Sequence, residues 1–369
     1  MRKFIFSVLL MFPVPILAVT ATPVSAVTVE ADGIYYRIDT DKKTAFVTDS
    51  KKDALHGSVV IPSEIYYDDV AYRVTRIGDY AFDKQKEITS VILPESITAI
   101  GVGAFVDCES LESIIIPEGV TTIENDTFSR CYGLKEVTIP EGVTIIGERA
   151  FLCCNLTSVS IPESVVLIKD AAFLSCLCLN SVNIPKNLTK IYPSTFRNCR
   201  CLTSIRIPES VVSISSGAFT DCIALSSVTI PEGVKCIYDG AFQGCQSLTS
   251  ITIPKSVETI GVSAFLKCSS LKRIVIPKNV QNIGEEAFGE CCNLKKVVIK
   301  ANLSSIPEYL FYTCCALKSF RIPDGVESIG ANAFSFCVSL SSIRIPESVK
   351  TIGEDAFLGC SKLSFDPAN

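Results

Sequence analysis

The chain has 369 residues, 48% hydrophobic and 20% charged, enough apolar material for a large core. Its formal net charge of −5 argues against general nucleic-acid binding, which rests on clustered Lys and Arg neutralising phosphates. Beyond the N-terminus no apolar run reaches the ~18 residues of a membrane-spanning helix.

Residues 1–26, MRKFIFSVLLMFPVPILAVTATPVSA, place Arg2 and Lys3 before an apolar stretch that closes on Val24-Ser25-Ala26. That is the pattern of a cleaved secretory signal peptide. Its removal takes away two positive charges and moves the net charge from −5 to −7. No cysteine precedes Cys108, so the signal lacks the residue that bacterial lipoproteins acylate, and the C-terminal SKLSFDPAN has no hydrophobic anchor. A secreted or cell-surface location, without a transmembrane segment, is the expectation.

Residues 27–56 read as an N-terminal β cap. Within them GIYYRIDTDKKTAFVTD alternates apolar and polar residues around Asp41-Lys42-Lys43, which predicts a β-hairpin over Gly33–Asp49. A first repeat left uncovered would expose its apolar cross-section and a strand edge. Residues 57–369 are read as a solenoid of about 13 repeats. The first carries an insertion, SEIYYDDVAYR, between Pro62 and Val74.

The repeat is regular. Prolines at 94, 117, 140, 162, 185, 208, 231, 254, 277, 323 and 346 recur at steps of 22 or 23 residues, with Lys300 in the one remaining slot. Thirteen phenylalanines from Phe82 to Phe357 keep the same period, among them Phe105, Phe219 and Phe265. A fixed period of this length marks a solenoid, in which each unit buries its apolar face only against its neighbours. In LTSIRIPES (202–210), Leu202, Ile205 and Ile207 alternate with Ser204 and Arg206, a strand with one buried face that proline ends. Val211 and Ile214 then mark a second short extended segment. Ala218, Phe219 and Cys222 have the spacing of one helical turn. Parallel strands ~4.8 Å apart would make thirteen coils a ladder roughly 60 Å long.

The repeated L-x-x-I-x-I-P-x-x-V-x-x-I-G-x-x-A-F-x-x-C pattern, clear from Leu248 to Cys268 and traceable over residues 57–365, resembles the 23-residue BspA-like (Treponema-type) leucine-rich repeat family. The resemblance implies a curved right-handed solenoid whose parallel strands line the concave side; with the turn read from the spacing, the expected fold is a repeat solenoid, mainly β with one short helical turn per coil. It also implies a secreted or surface protein of bacteria or some protists, in a family associated with adhesion to host matrix proteins or other cells.

Twelve of the eighteen cysteines, including Cys108, Cys222 and Cys268, stand three residues after the repeat Phe. Stacked coils set them in an inward column at strand spacing, wider than the ~3.5–4.5 Å between Cβ atoms that a disulfide requires. They read as small buried hydrophobes, with Phe105, Phe219 and Phe265 part of the same structural ladder. Zinc is not expected, because the column neither converges nor has a histidine beside it. Of the other six, Cys178 with Cys201 and Cys292 with Cys315 share a register on neighbouring coils and are the only disulfide candidates.

Catalytic signals are sparse. The single histidine, His56, reads as a solvated turn residue, and no P-loop, G-x-S-x-G or dinucleotide fingerprint occurs. No cofactor is expected. An enzyme on parallel strands, such as one that processes polysaccharide, would place carboxylates on adjacent strands. Of the twenty-four outward strand positions counted along the repeats, only Glu136 is acidic, and most of the rest are Ser or Thr. The leading expectation is therefore a non-enzymatic, monomeric binding or adhesion protein whose strand face meets a host or neighbouring-cell protein or glycan. A polysaccharide-processing enzyme is the alternative. The serine column is equally readable as repeat filler. Ile92 and Ile115 read as a patch covered by the cap. Positive charge collects on later coils at Arg273, Lys296, Arg321 and Arg344, the candidate ligand-binding residues, while Asp324 and Glu347 follow the prolines and are expected to point away. Asn125, Asn155, Asn187 and Asn302 lie in sequons that matter only in a eukaryote.

Overall fold

The computed structural model describes residues 27–50 and 55–363; the secretory signal read from residues 1–26 lies outside them. Three strands come first: β1 (Val27–Ala31), β2 (Ile34–Asp39) and β3 (Thr44–Ser50). β2 and β3 form the hairpin that the alternation predicts, with Ile34, Tyr36, Ile38, Ala45 and Val47 buried. β1 adds a strand that the sequence reading lacks. It pairs antiparallel with β2 across Asp32-Gly33, both left-handed at φ 52° and 78°, a two-residue turn whose twist matches the flanking strands.

β4 (Gly57–Val60) opens a second sheet, and the insertion folds as a further hairpin of β5 (Glu64–Tyr67) and β6 (Val70–Ile77). Its tip, Asp68-Asp69, is again left-handed at both residues. β3 runs parallel to β6, whose end pairs with Ala99–Ile100. The cap is thus the beginning of one of the stack's own sheets rather than a lid across it.

Beyond β6 each coil gives a longer strand, such as Ser113–Ile115 or Ser204–Arg206, and a two-residue strand, such as Thr122–Ile123 or Ser213–Ile214. Neighbouring coils pair in parallel one repeat apart, as in Ser204↔Ser227 and Ile214↔Ile237. The proline after the longer strand cannot donate to the ladder, so the chain turns there. Between these columns runs the core. Thirteen phenylalanine rings stack from Phe82 to Phe357, with centroids 5.2–6.0 Å apart. Phe105, Phe219 and Phe265 lie in it with no exposed surface. The one 22-residue step is absorbed after Cys154, where a single residue precedes Leu156; in the preceding coil two separate Cys131 from Leu134. Leu156 stays fully buried.

The predicted helical turn is absent: no described residue is helical. In its place is a ribbon of three-residue turns. The amides of Ala104, Val106 and Cys108 donate to the carbonyls of Gly101, Gly103 and Phe105, whereas those of Gly103, Phe105 and Asp107 donate to the next coil. A residue can alternate partners this way only if the backbone reverses hand. The residues two before and two after the Phe are left-handed, for example Gly103 and Asp107, or Asp126 and Arg130. That reversal forbids the i→i−4 ladder of an α-helix.

The cysteine column has a defined hydrogen-bond role. Each of the twelve thiols donates to the carbonyl of the Phe one coil earlier, from Cys108 Sγ to Phe82 O at 3.1 Å through Cys360 Sγ to Phe334 O at 3.1 Å. Burial holds Cys108, Cys222 and Cys268 up at about 12. All eighteen cysteines are free thiols, so the proposed Cys178–Cys201 and Cys292–Cys315 disulfides are not formed. At the second pair the side chains turn onto their own turns, Cys292 Sγ to Glu290 O and Cys315 Sγ to Thr313 O, both 3.5 Å.

Candidate functional site: the strand face and a basic cavity

Along the longer strands the buried residues alternate with outward ones that form two columns on a single face. The face is not uniform. At its N-terminal end Val60, Ile92 and Ile115 are 61%, 55% and 71% exposed, on three successive strands. Val60 pairs with Ile92 in register. The cap therefore leaves this patch uncovered, because it extends the other sheet and not this one. Hydroxyls dominate the middle of the face.

The four basic candidates separate into two pairs. Arg273 and Lys296 lie opposite each other in register in one column, and Arg321 and Arg344 in the other. Arg321 is not free: its Nη2 donates to Asp324 Oδ2 at 2.9 Å, so Asp324 turns toward the face, contrary to the sequence reading. Arg344 has no ion pair among the described residues.

The strand ladder is also interrupted. Ser227–Thr229 and Arg273–Ile276 are strands, but Ser250–Ile253 between them is not, and no main-chain hydrogen bond ties Ile251, Thr252 or Ile253 to either side. Where the paired strands Ser158–Val159 and Ser181–Val182 end, a side chain prolongs the contact between their coils: Asn183 Oδ1 accepts the Ile161 N–H at 2.8 Å and Nδ2 donates to Ile161 O at 2.7 Å. Nothing comparable bridges Ser250–Ile253. A cavity of about 500 Å³ opens there. Ile251, Ile253, Val275 and Pro277 give it apolar walls, and Lys255, Arg273, Lys278 and Lys300 are its cations. Glu232 is its one carboxylate, and Glu232 Oε2 accepts the Lys255 N–H at 3.1 Å.

Of these cations the sequence reading singles out only Arg273. Lys300 carries a legible signal, since it occupies a proline slot. Lys255 and Lys278 directly follow prolines, a position that the outward columns do not include. His56 Nδ1 lies 2.8 Å from Glu87 Oε2, both exposed at the edge of β4. No cluster of His, Cys, Asp or Glu among the described residues could hold a metal ion.

A model of the BspA-type leucine-rich repeat region matches residues 75–203, 189–314 and 304–365, which together span most of the chain. The chain belongs to the BspA-type leucine-rich repeat family. It is similar to a leucine-rich repeat protein from Bacteroides ovatus, with 31% identity and a TM-score of 0.80, over 91% of this chain and 93% of that one. The pneumococcal vaccine antigen PcpA shares the fold at 20% identity and a TM-score of 0.57, over 89% of this chain and 99% of that one. No curated protein sequence matches. Membership in the BspA-type family agrees with the parallel solenoid, while the turn ribbon replaces the helical turn that the residue spacing implied. No helix among the described residues is long and apolar enough to cross a membrane.

Proposed function

We propose that this protein is a non-enzymatic, secreted or surface-associated adhesion module that binds an extended segment of another protein along its strand face. Membership in a leucine-rich repeat family supports a repeat scaffold for protein binding. The observation that carries the reading is the stripe of Val60, Ile92 and Ile115, exposed branched aliphatic side chains on three successive strands of an otherwise hydroxyl-rich face. Such a stripe gains free energy when another apolar surface covers it, and a hydroxyl-rich glycan offers little to cover it with. The lone Glu136 among the outward residues leaves no carboxylate pair for glycoside chemistry.

The test is binding of the protein to purified extracellular-matrix proteins and to a glycan panel, with Ile92→Lys/Ile115→Lys and Arg321→Glu/Arg344→Glu variants alongside. Protein binding that the isoleucine variant abolishes is the expected result. Binding to glycans alone, or protein binding indifferent to both variants, overturns the reading. Release of reducing ends from any polysaccharide would restore the enzymatic alternative.

A further inference from the structure

We infer that the cavity at Ser250–Ile253 is an anchoring site for an acidic, partly apolar peptide segment; the inference rests on the strand-face reading and locates its charged contact. Three independent features coincide there. The ladder is open on both sides of the segment, leaving main-chain N–H and C=O groups of Ile251–Ile253 without a main-chain partner. Main-chain groups in strands are normally paired, so a ligand able to supply partners gains by entering. The cavity has the volume typical of a preformed binding site.

The charges are the second feature. Five lysines elsewhere on this solenoid pair with a carboxylate one coil away, Lys135–Glu112, Lys186–Glu163, Lys235–Glu258, Lys267–Glu290 and Lys350–Glu327. Lys255, Arg273, Lys278 and Lys300 have no ion pair among the described residues, and Lys296, beside Arg273 in register, has none either. Glu232 alone opposes them. Like charges on neighbouring coils repel, and in a chain of net charge −5 such a concentration is locally anomalous. An anion entering the cavity would relieve it.

The third feature decides between anions. The cavity walls are aliphatic, Ile251, Ile253, Val275 and Pro277, and no aromatic ring lines it. A sulfated or uronic glycan would set hydroxyls against those walls without a stacking platform. A peptide with alternating acidic and aliphatic side chains fills both parts: the aliphatic groups meet the walls, and the carboxylates meet guanidinium and ammonium donors.

The probe is the synthetic peptide Ac-Glu-Leu-Glu-Leu-Glu-amide, compared with its Lys-for-Glu counterpart and with a heparin-derived oligosaccharide, on the full chain at low and moderate salt. Expected is saturable binding of the acidic peptide that weakens roughly tenfold in Arg273→Glu and in Lys255→Gln/Lys300→Gln, and weakens with salt as the Debye length falls. Circular dichroism and melting of each variant verify the fold. Binding indifferent to these substitutions or to salt, equal binding of the Lys peptide, or binding of the oligosaccharide alone overturns the inference. Ile115→Lys separates the two readings. If it abolishes binding of a whole protein partner while the cavity variants do not, the strand face stands and the anchoring site falls.

Discussion

Raising the pH should unfold this protein abruptly between about pH 9 and about pH 10, and the thiol column is the cause. Eleven of its members, all but Cys360, are deeply buried, and desolvation holds every one of them above the ordinary value of 9.0. Below that value both folded and unfolded chains keep the protons, and the thiols' contribution is intact. Above it the unfolded chain releases protons that the folded chain retains, so stability falls as pH rises. Each such thiol costs about 0.4 kcal/mol at about pH 9 and about 1.4 kcal/mol at about pH 10. Over the column that is about 5 and then about 15 kcal/mol, against the roughly 5–15 kcal/mol that typically holds a domain together. Denaturant titrations followed by far-UV circular dichroism, with reductant present, from about pH 7 to about pH 10.5 would measure the slope. Cys222→Ala should lessen the slope by one thiol, about 1.4 kcal/mol per pH unit. A stability flat through about pH 10.5 would refute the assignment of these sulfurs as buried protonated donors.

Phe219→Ala, which removes a ring stacked 5.6 Å from Phe196 and 5.4 Å from Phe242, should destabilise by about 3–5 kcal/mol in a thermal or urea melt and split it toward two transitions. Asn183→Ala should cost about 1–3 kcal/mol in the same melts, because the Ile161 N–H and C=O lose both their partners. Counting thiols without reductant should give at most the six outside the column in the native protein, and all eighteen after denaturation.

Much of the fold was legible because the sequence repeats its own constraints. The I-x-I-P alternation fixes which side chains face inward, and thirteen copies of the aromatic position leave one way to stack them. The helical turn misled because Ala218, Phe219 and Cys222 have helical spacing, yet a run of alternating turns buries the same three residues. Only the backbone hand separates the two, and residues as varied as Arg130, Cys153 and Tyr309 adopt the left-handed conformation there. β1 was signalled by Asp32-Gly33, a favoured hairpin turn pair. The basic cavity was half legible. Arg273 sits in an outward column that alternation identifies, whereas Lys255 and Lys278 approach it from the turns after the prolines, where strand periodicity says nothing about direction.

The turn ribbon carries a consequence for the length of the chain. Its cross-coil bonds, the thiol contacts and the ring stack each join a coil only to its immediate neighbour, and always in the same sense. Excising one whole period, for instance residues 209–231 from one proline to the next, would bring surfaces together that already match, as Phe196 would meet Phe242 where it now meets Phe219. Copy number is therefore a free variable for this architecture: genes can lengthen or shorten by whole periods without redesigning a joint. What such a change does alter is the distance between the apolar stripe and the basic cavity, so the span of partner that can touch both is set by counting coils.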